Sequence, residues 1–357
     1  MKNIAIIGAG FYGSNLAIDL ARRDKNLNIV LFEKRDNILL GAVSNNQHRL
    51  HLGFHYPRCR HTTEQAIRSH SEFIKNYKES VTSPNKNIYL IHEQSKVSFE
   101  YFLSYYNEYG LECSLLQDRE ISKWIKDPKS IQGAIQCKEK VIDLSLLSHK
   151  IKSNLKNANT VEIRTGSKIE NIEGNVLCVN GERLKFDHII NCSYSDLLLD
   201  SENEISTKSE LCFIPILKDE KNCLQNNCLT IMDGDFCSLY QTGAEKTVSL
   251  SSVRYTPFYK DESHLKLEEI KSSLTKKDIE DICEQILSEG SQHFLHVENM
   301  KIIDCYITIK TKLLDDKNDY RGSYFIKNND CITVLGGKIS AYYDLRDNII
   351  ENILGSI

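Results

Sequence analysis

Gly8-Ala9-Gly10-Phe11-Tyr12-Gly13 follows directly on the apolar run Asn3-Ile4-Ala5-Ile6-Ile7 and leads into a segment with Leu16, Ala17, Leu20 and Ala21 at helical spacing. A short continuous apolar run suits a strand covered on both faces. Asn28-Ile29-Val30-Leu31-Phe32-Glu33 reads as a second such strand, so residues 2–33 form a βαβ unit. Glycines at 8, 10 and 13 let the backbone turn tightly and approach a pyrophosphate, whose charge meets the free N–H groups of the helix start. Glu33, twenty residues past Gly13 at the end of the second strand, is placed to accept hydrogen bonds from ribose hydroxyls. The unit therefore predicts a dinucleotide site. Lys34-Arg35 leaves a 2′-phosphate open as an alternative, and a nucleotide-free turn is the bland one.

After Glu33 the pattern stops repeating. The segment Ser44-Asn45-Asn46-Gln47-His48-Arg49-Leu50-His51-Leu52-Gly53-Phe54-His55-Tyr56-Pro57-Arg58 is dense in Asn, His and Arg. It resembles the post-Rossmann stretch of the D-amino-acid-oxidase superfamily of flavoproteins. The likeness is strongest to the L-2-hydroxyglutarate dehydrogenase type, through Asn46, His51, Gly53 and Tyr56. Arg49 is similar in position to an arginine beside the flavin in sarcosine-oxidase-like members. Val141-Ile142-Asp143-Leu144 resembles the helix start of that family, with Leu144 in place of a proline and Asp143 as N-cap. Leu335-Gly336-Gly337-Lys338-Ile339-Ser340 resembles the C-terminal turn of glycerol-3-phosphate dehydrogenases. Asp187-His188-Ile189-Ile190-Asn191-Cys192 resembles the strand that precedes a glycine in relatives, where this chain has Ser193-Tyr194.

The resemblance implies an FAD enzyme. The cofactor set it suggests is Gly8, Gly10, Phe11, Tyr12, Gly13, Glu33, Lys34, Asn46, Gln47, Arg49, Ile169, Gly336, Gly337, Lys338 and Ile339. The FAD is expected to be non-covalent, because Cys59 is the only cysteine near the histidine segment and no His or Cys adjoins the Gly-Gly-Lys turn. His51, His55, Arg49 and Arg321 are the catalytic candidates. Arg321, in Asp319-Tyr320-Arg321-Gly322-Ser323, suits a bidentate clamp on a substrate carboxylate. Tyr240, Arg254 and Tyr255 are weaker candidates on the expected substrate sheet.

Read as a strand, residues 48–56 put Arg49, His51, Gly53 and His55 on one face and Leu50, Leu52, Phe54 and Tyr56 on the other. A cationic, hydrogen-bonding face suits an anionic substrate or the charge that builds on a reduced flavin. A solvated edge strand is the alternative. No Asp or Glu nearby completes a histidine metal set. The twelve cysteines are scattered without a Cys-x-x-Cys, so no metal is expected and the thiols read as reduced, small core residues.

At 357 residues the chain predicts about two domains. No linker or repeat separates them, so they are expected to be interleaved: a GR2-type, Rossmann-like FAD-binding domain from 1–80, 140–210 and 325–357, and a mixed or antiparallel-sheet substrate domain from 81–139 and 211–324. The fold class is α/β. A formal charge of −4 without a basic run argues against a nucleic-acid partner. No stretch has the length of a spanning helix and no signal peptide is evident, so a cytoplasmic protein is expected. The expected function is oxidation of a C–N or C–OH bond of a small polar substrate by hydride transfer to flavin N5. A flavin-dependent sugar-nucleotide mutase and an oxidase of an amine carried on a nucleotide are the alternatives. Substrate, electron acceptor and oligomeric state are not legible.

Overall fold

The structure, a computed structural model, describes residues 1–194, 207–313 and 321–355. Lys2–Ile7 lies inside a six-stranded sheet with the order Tyr324–Asn328, Cys331–Leu335, His188–Asn191, Lys2–Ile7, Leu27–Phe32, Val161–Arg164. Every neighbouring pair is parallel except the Tyr324–Asn328/Cys331–Leu335 hairpin. The unbroken apolar sequence of the first strand follows from this position. Ile4 and Ile6 pack under the helix Phe11–Arg23, while Ala5 and Ile7 pack with Ile169, Leu177 and Phe186 on the other side. A small antiparallel sheet, Ile169–Glu173, Val176–Val179 and Glu182–Lys185, supplies that second cover. The helix Leu144–Lys156 begins where expected, with Asp143 Oδ1 accepting from the N–H groups of Ser145 (2.9 Å) and Leu146 (3.0 Å).

A nine-stranded mixed sheet forms the other half. Its order is Pro257–Asp261, Thr207–Lys218, Thr247–Ser252, Cys237–Gln241, Cys228–Met232, Asn87–His92, Ile131–Cys137, Cys113–Leu115, and Lys301–Leu313 pairs along Thr207–Lys218. Cys228–Met232 and Asn87–His92 are parallel; the other pairs are antiparallel. Two helices pack against this sheet, His264–Ser273 and Lys276–His293. Thr275 starts the second with a capping box to Asp278.

The histidine segment departs from the expected strand. Only Arg49–Leu50 pairs, against Lys140–Ile142. Beyond it Gly53 takes φ 124°, and Tyr56 N–H donates to Gly53 O at 3.1 Å. Side chains replace the missing ladder: Glu139 Oε1 accepts the Leu52 N–H at 2.8 Å, and the Tyr106 hydroxyl bridges Gly53 O and Tyr56 N. Leu50, Phe54 and Tyr56 are buried as the alternation required, whereas Leu52 is half-buried.

Candidate active site

A cavity of about 860 Å³ opens where the central strands end, at Ile7, Phe32, Cys192 and Val334. This is the place an open α/β sheet offers a ligand. The three glycines of the first turn have three different reasons to be there. Gly8 sits at φ 91°, and a Cβ would lie 2.8 Å from Cys192 O. A Cβ on Gly13 would lie 2.1 Å from Gly8 O, so this glycine lets the helix start press on the turn rather than on a ligand. Gly13 accordingly does not line the cavity. Gly10 does, and a Cβ there would meet no protein atom within 4 Å. The space it keeps open belongs to the cavity. The helix has no side-chain N-cap and no acidic residue in its first turn, leaving its N-terminus to an anion.

Glu33 is buried and braces this turn. Its Oε2 accepts the Ala9 N–H at 3.1 Å, and its Oε1 accepts the Arg35 N–H at 3.0 Å. Phe11, Tyr12, Lys34 and Ile169 line the same cavity. Asn46 lines it too, but its side chain is spent on the local turn, accepting from His48 N–H and donating to Val43 O.

At the far end stand Gln47, Arg49, His51, Gly336, Gly337, Lys338 and Ile339. Arg49 is buried, its guanidinium carbon 4.5 Å from the centroid of the Tyr240 ring, and none of its three side-chain nitrogens has a hydrogen-bond partner. Gln47 Nε2 and the Nδ1 atoms of His51 and His55 are also buried without one. Buried polar groups are almost always satisfied, so this concentration around the cavity and its smaller neighbour marks the place of a polar ligand. Chain ends that are far apart in sequence meet here. Tyr12 Oη lies 2.6 Å from both Ser323 Oγ and Lys338 O, and Ser323 Oγ accepts from Gly337 N–H at 2.7 Å. A Cβ on Gly336 would lie 2.9 Å from the Tyr12 ring, and one on Gly337 2.2 Å from Arg321 O.

A second cavity of about 340 Å³ shares Gln47, Tyr194, Lys310, Gly336, Gly337 and Lys338 with the first. His55, Arg58, Glu210, Lys312 and Arg321 also line it. Lys312 is 2.5 Å from Glu210, and Arg58 pairs with Asp233. Burial, reinforced by Lys338 and Arg49, pushes His51 well below the usual histidine pKa; burial with Arg49 and His51 does the same to His55. Lys338 is lowered well below the usual lysine range by burial and by Arg321, Lys310, Arg49 and Lys312. Beneath the histidines, Glu139 Oε1 lies 3.8 Å from His51 Nδ1, and its Oε2 accepts the Tyr89 hydroxyl at 2.6 Å. Burial raises the Glu139 carboxyl despite these partners.

Of the catalytic candidates, Arg49 and His51 line the large cavity, and His55 and Arg321 line the small one that adjoins it. Asp319 and Tyr320, quoted beside Arg321, lie outside the described residues. Tyr240 is the platform under Arg49, held by Asn87 Nδ2 at 2.6 Å. Arg254 and Tyr255 line neither cavity; Arg254 instead lies 3.8 Å from Glu289. Glu139, Lys310 and Lys312 were not singled out from the sequence, and Tyr194 was noted only as a departure from the family pattern. The two lysines carried a signal, since their spacing puts them on one face of a strand. Tyr194, which stands where the resemblance implied a glycine, takes φ 70°, its hydroxyl bonded to both N–H and C=O of Thr311 at 3.0 Å.

Residues 3–293 match the FAD dependent oxidoreductase family. An FAD-dependent monooxygenase of Fusarium mangiferae is 24% identical over 358 residues, covering 98% of this chain and 91% of that protein. Glycine oxidase from Geobacillus kaustophilus has the same fold, with a TM-score of 0.75 at 12% identity over 98% of this chain and 94% of its own. L-Proline dehydrogenase from P. horikoshii gives 0.76 at 14% over 99% and 93%. Glycerol-3-phosphate dehydrogenase from Bacillus halodurans, complexed with FAD, gives 0.65 at 13% over 99% and 64%. Among the described residues no helix is long and apolar enough to cross a membrane. The α/β architecture expected from the glycine turn is the one these enzymes share, and the chain belongs to the FAD-dependent oxidoreductase family, with FAD as its cofactor.

Proposed function

We propose that this enzyme removes hydride from a C–N or C–OH bond of a small, polar substrate of the amino-acid, amine or hydroxy-acid kind, with flavin N5 as acceptor. The observation that carries the reading is the small cavity, cation-rich and joined to the large one through Gln47, Lys310 and the Gly336–Lys338 turn. The large cavity suits FAD: Gly10 leaves room for the pyrophosphate, and Arg49 and Gln47 offer unsatisfied donors to the flavin's polar edge. In this division residues 1–80, 140–210 and 325–357 hold the non-covalent cofactor and 81–139 and 211–324 the substrate; 195–206 and 314–320 within those ranges lie outside the described residues.

FAD supplies the hydride-accepting chemistry; the protein supplies position, polarity and exclusion of water. Arg321 and Lys310 bind the anionic end of the substrate. His55 or His51, held neutral by burial, accepts the amine or hydroxyl proton at a ring nitrogen. Lys338, made a weaker base and a readier proton donor by burial and by its cationic neighbours, holds or releases a proton at Nζ. Glycine oxidase and L-proline dehydrogenase, which share this fold, support amino acids as the first class to try. The mutase alternative finds no support among them.

Anaerobic mixing with amino acids, amines and hydroxy acids tests the reading. Bleaching of the flavin by one of these classes supports it. Bleaching only by a nicotinamide cofactor would favour a hydroxylating enzyme, as the name of the Fusarium relative suggests, and would overturn it.

A further inference from the structure

Away from both cavities, three side chains of different chemistry converge on the outer side of the large sheet. Cys237 begins the strand Cys237–Gln241, and Glu289 and His293 lie one helical turn apart on Lys276–His293. Cys237 Sγ, a carboxylate oxygen of Glu289 and an imidazole nitrogen of His293 all lie within 4.8 Å of one another. Cys237 and Glu289 are buried, and His293 is 22% exposed at the side chain. The approach is built into the packing. Gly290 brings the helix so close to the strand Thr247–Ser252 that a Cβ there would lie 2.9 Å from Leu250 Cδ2. None of the three lines the flavin or substrate cavity, although Ser238, next to Cys237, lines the latter.

We propose that Cys237, Glu289 and His293 form a divalent-metal site of the zinc class, with water as fourth ligand on the His293 side. This departs from the expectation of no metal, which rested on sequence spacing; a site assembled from a strand and a helix some fifty residues later has no local spacing to read. The donor set selects the ion: a sulfur, an imidazole and one carboxylate suit Zn²⁺ and disfavour Mg²⁺ or Ca²⁺, which take oxygen shells. The Zn–S bond forms as the Cys237 thiol releases its proton to solvent. Without metal that proton is firmly held: burial and the Glu289 carboxylate push the thiol up to about 12, against the relief of a Ser252 hydrogen bond. Arg254, 3.8 Å from Glu289 Oε1 and 53% exposed, has solvent into which to swing as the cation enters. Bound metal would pin the helix to the back of the sheet whose opposite side floors the substrate cavity.

Cobalt(II) titration of the FAD-loaded enzyme, with Zn²⁺ as competitor, is the test. The expected result is one equivalent bound, a thiolate-to-cobalt charge-transfer band in the near-ultraviolet together with tetrahedral d–d bands, and loss of both on adding Zn²⁺. Difference spectra against the metal-free holoenzyme remove the flavin contribution. C237S should lose the charge-transfer band, and H293A should weaken binding at least tenfold; H293A alters a helix end and keeps the test open if C237S fails to fold. Zn²⁺ should raise the melting temperature of the parent but not of H293A. Absence of the cobalt bands in the parent, or bands unchanged in H293A, would overturn the proposal, whatever the enzyme's substrate proves to be.

Discussion

The guanidinium of Arg49 lies 4.5 Å from the centroid of the Tyr240 ring, and its nitrogens are buried without a hydrogen-bond acceptor. The aromatic face steadies the charge, yet an unsatisfied buried cation destabilises the empty protein. Arg49→Met should therefore raise the melting temperature of the FAD-free protein while weakening FAD binding by about 1.5–3 kcal/mol, the range for losing a charged hydrogen bond. Arg49→Lys should keep the charge but lose the planar stack. Apoprotein melts and FAD titrations of both variants check this; equal effects on both readouts would make Arg49 a purely structural residue.

The glycines of the first turn predict opposite failures. At Gly10 a Cβ meets nothing in the protein, so Gly10→Val should fold with its melting temperature close to the parent apoprotein and yet retain no FAD. Gly13→Ala places a Cβ against Gly8 O and should damage folding itself, by several kcal/mol on the usual scale for core overpacking and strain. Flavin content and circular-dichroism melts distinguish the two.

His51 and His55 make stability pH-dependent in a definite direction. Their folded pKa values lie well below the usual one, so in the window below about pH 6.5 the unfolded chain binds protons that the folded chain resists. Their contribution is complete above that pH and is lost as pH falls, at up to about 1.4 kcal/mol per pH unit for each histidine. Glu139, with a raised pKa, acts with the opposite sign: its contribution to the folded state is present when it is protonated and is lost as pH rises through its folded pKa. The His51→Asn/His55→Asn double variant should flatten the acid limb of the stability curve. Denaturant melts between pH 5 and 8, repeated on Glu139→Gln, separate the two contributions.

The histidine segment also divides chemistry from packing. His51→Ala and His55→Ala should retain FAD, and the one that accepts the proton should slow flavin reduction by roughly 10²–10⁴-fold. Leu50→Ala, at a fully buried position, should cost about 2–5 kcal/mol of stability and leave the reduction rate alone. Leu52, half-buried, should cost less. Stopped-flow reduction beside melting curves reads both; parent-like rates in both histidine variants would shift the proton-accepting role to Lys338.

What was legible in the sequence follows from how local each signal is. Gly8 to Glu33 and the Asp143 cap are written in contiguous residues, and the structure has them where the spacing puts them. The Arg49–Tyr56 alternation appears neither as a strand nor as alternating burial: Arg49, His51 and Gly53 are buried along with Leu50, Phe54 and Tyr56, and Glu139 and Tyr106 from distant segments capture the backbone groups a ladder would use. Lys310 and Lys312 gain meaning only once Lys301–Leu313 is laid beside the Gly336–Lys338 turn. Glu139 belongs to no motif; a buried carboxylate facing a histidine is a property of packing, not of spacing.

Tyr12 and Lys338, 326 residues apart and joined through one hydroxyl, fix an order of events during synthesis. The first helix leaves the ribosome long before the turn that closes the far wall of its cavity has been made. A nascent chain can build the βαβ unit early, but the parallel neighbour Cys331–Leu335 and the Gly336–Lys338 turn arrive only after Lys301–Leu313 has been made. Such long loop closures make the final sheet slow to complete. Flavin loading is thereby tied to a chain made past the Gly336–Lys338 turn, and ribosome-stalled chains that stop short of residue 331 will emerge colourless.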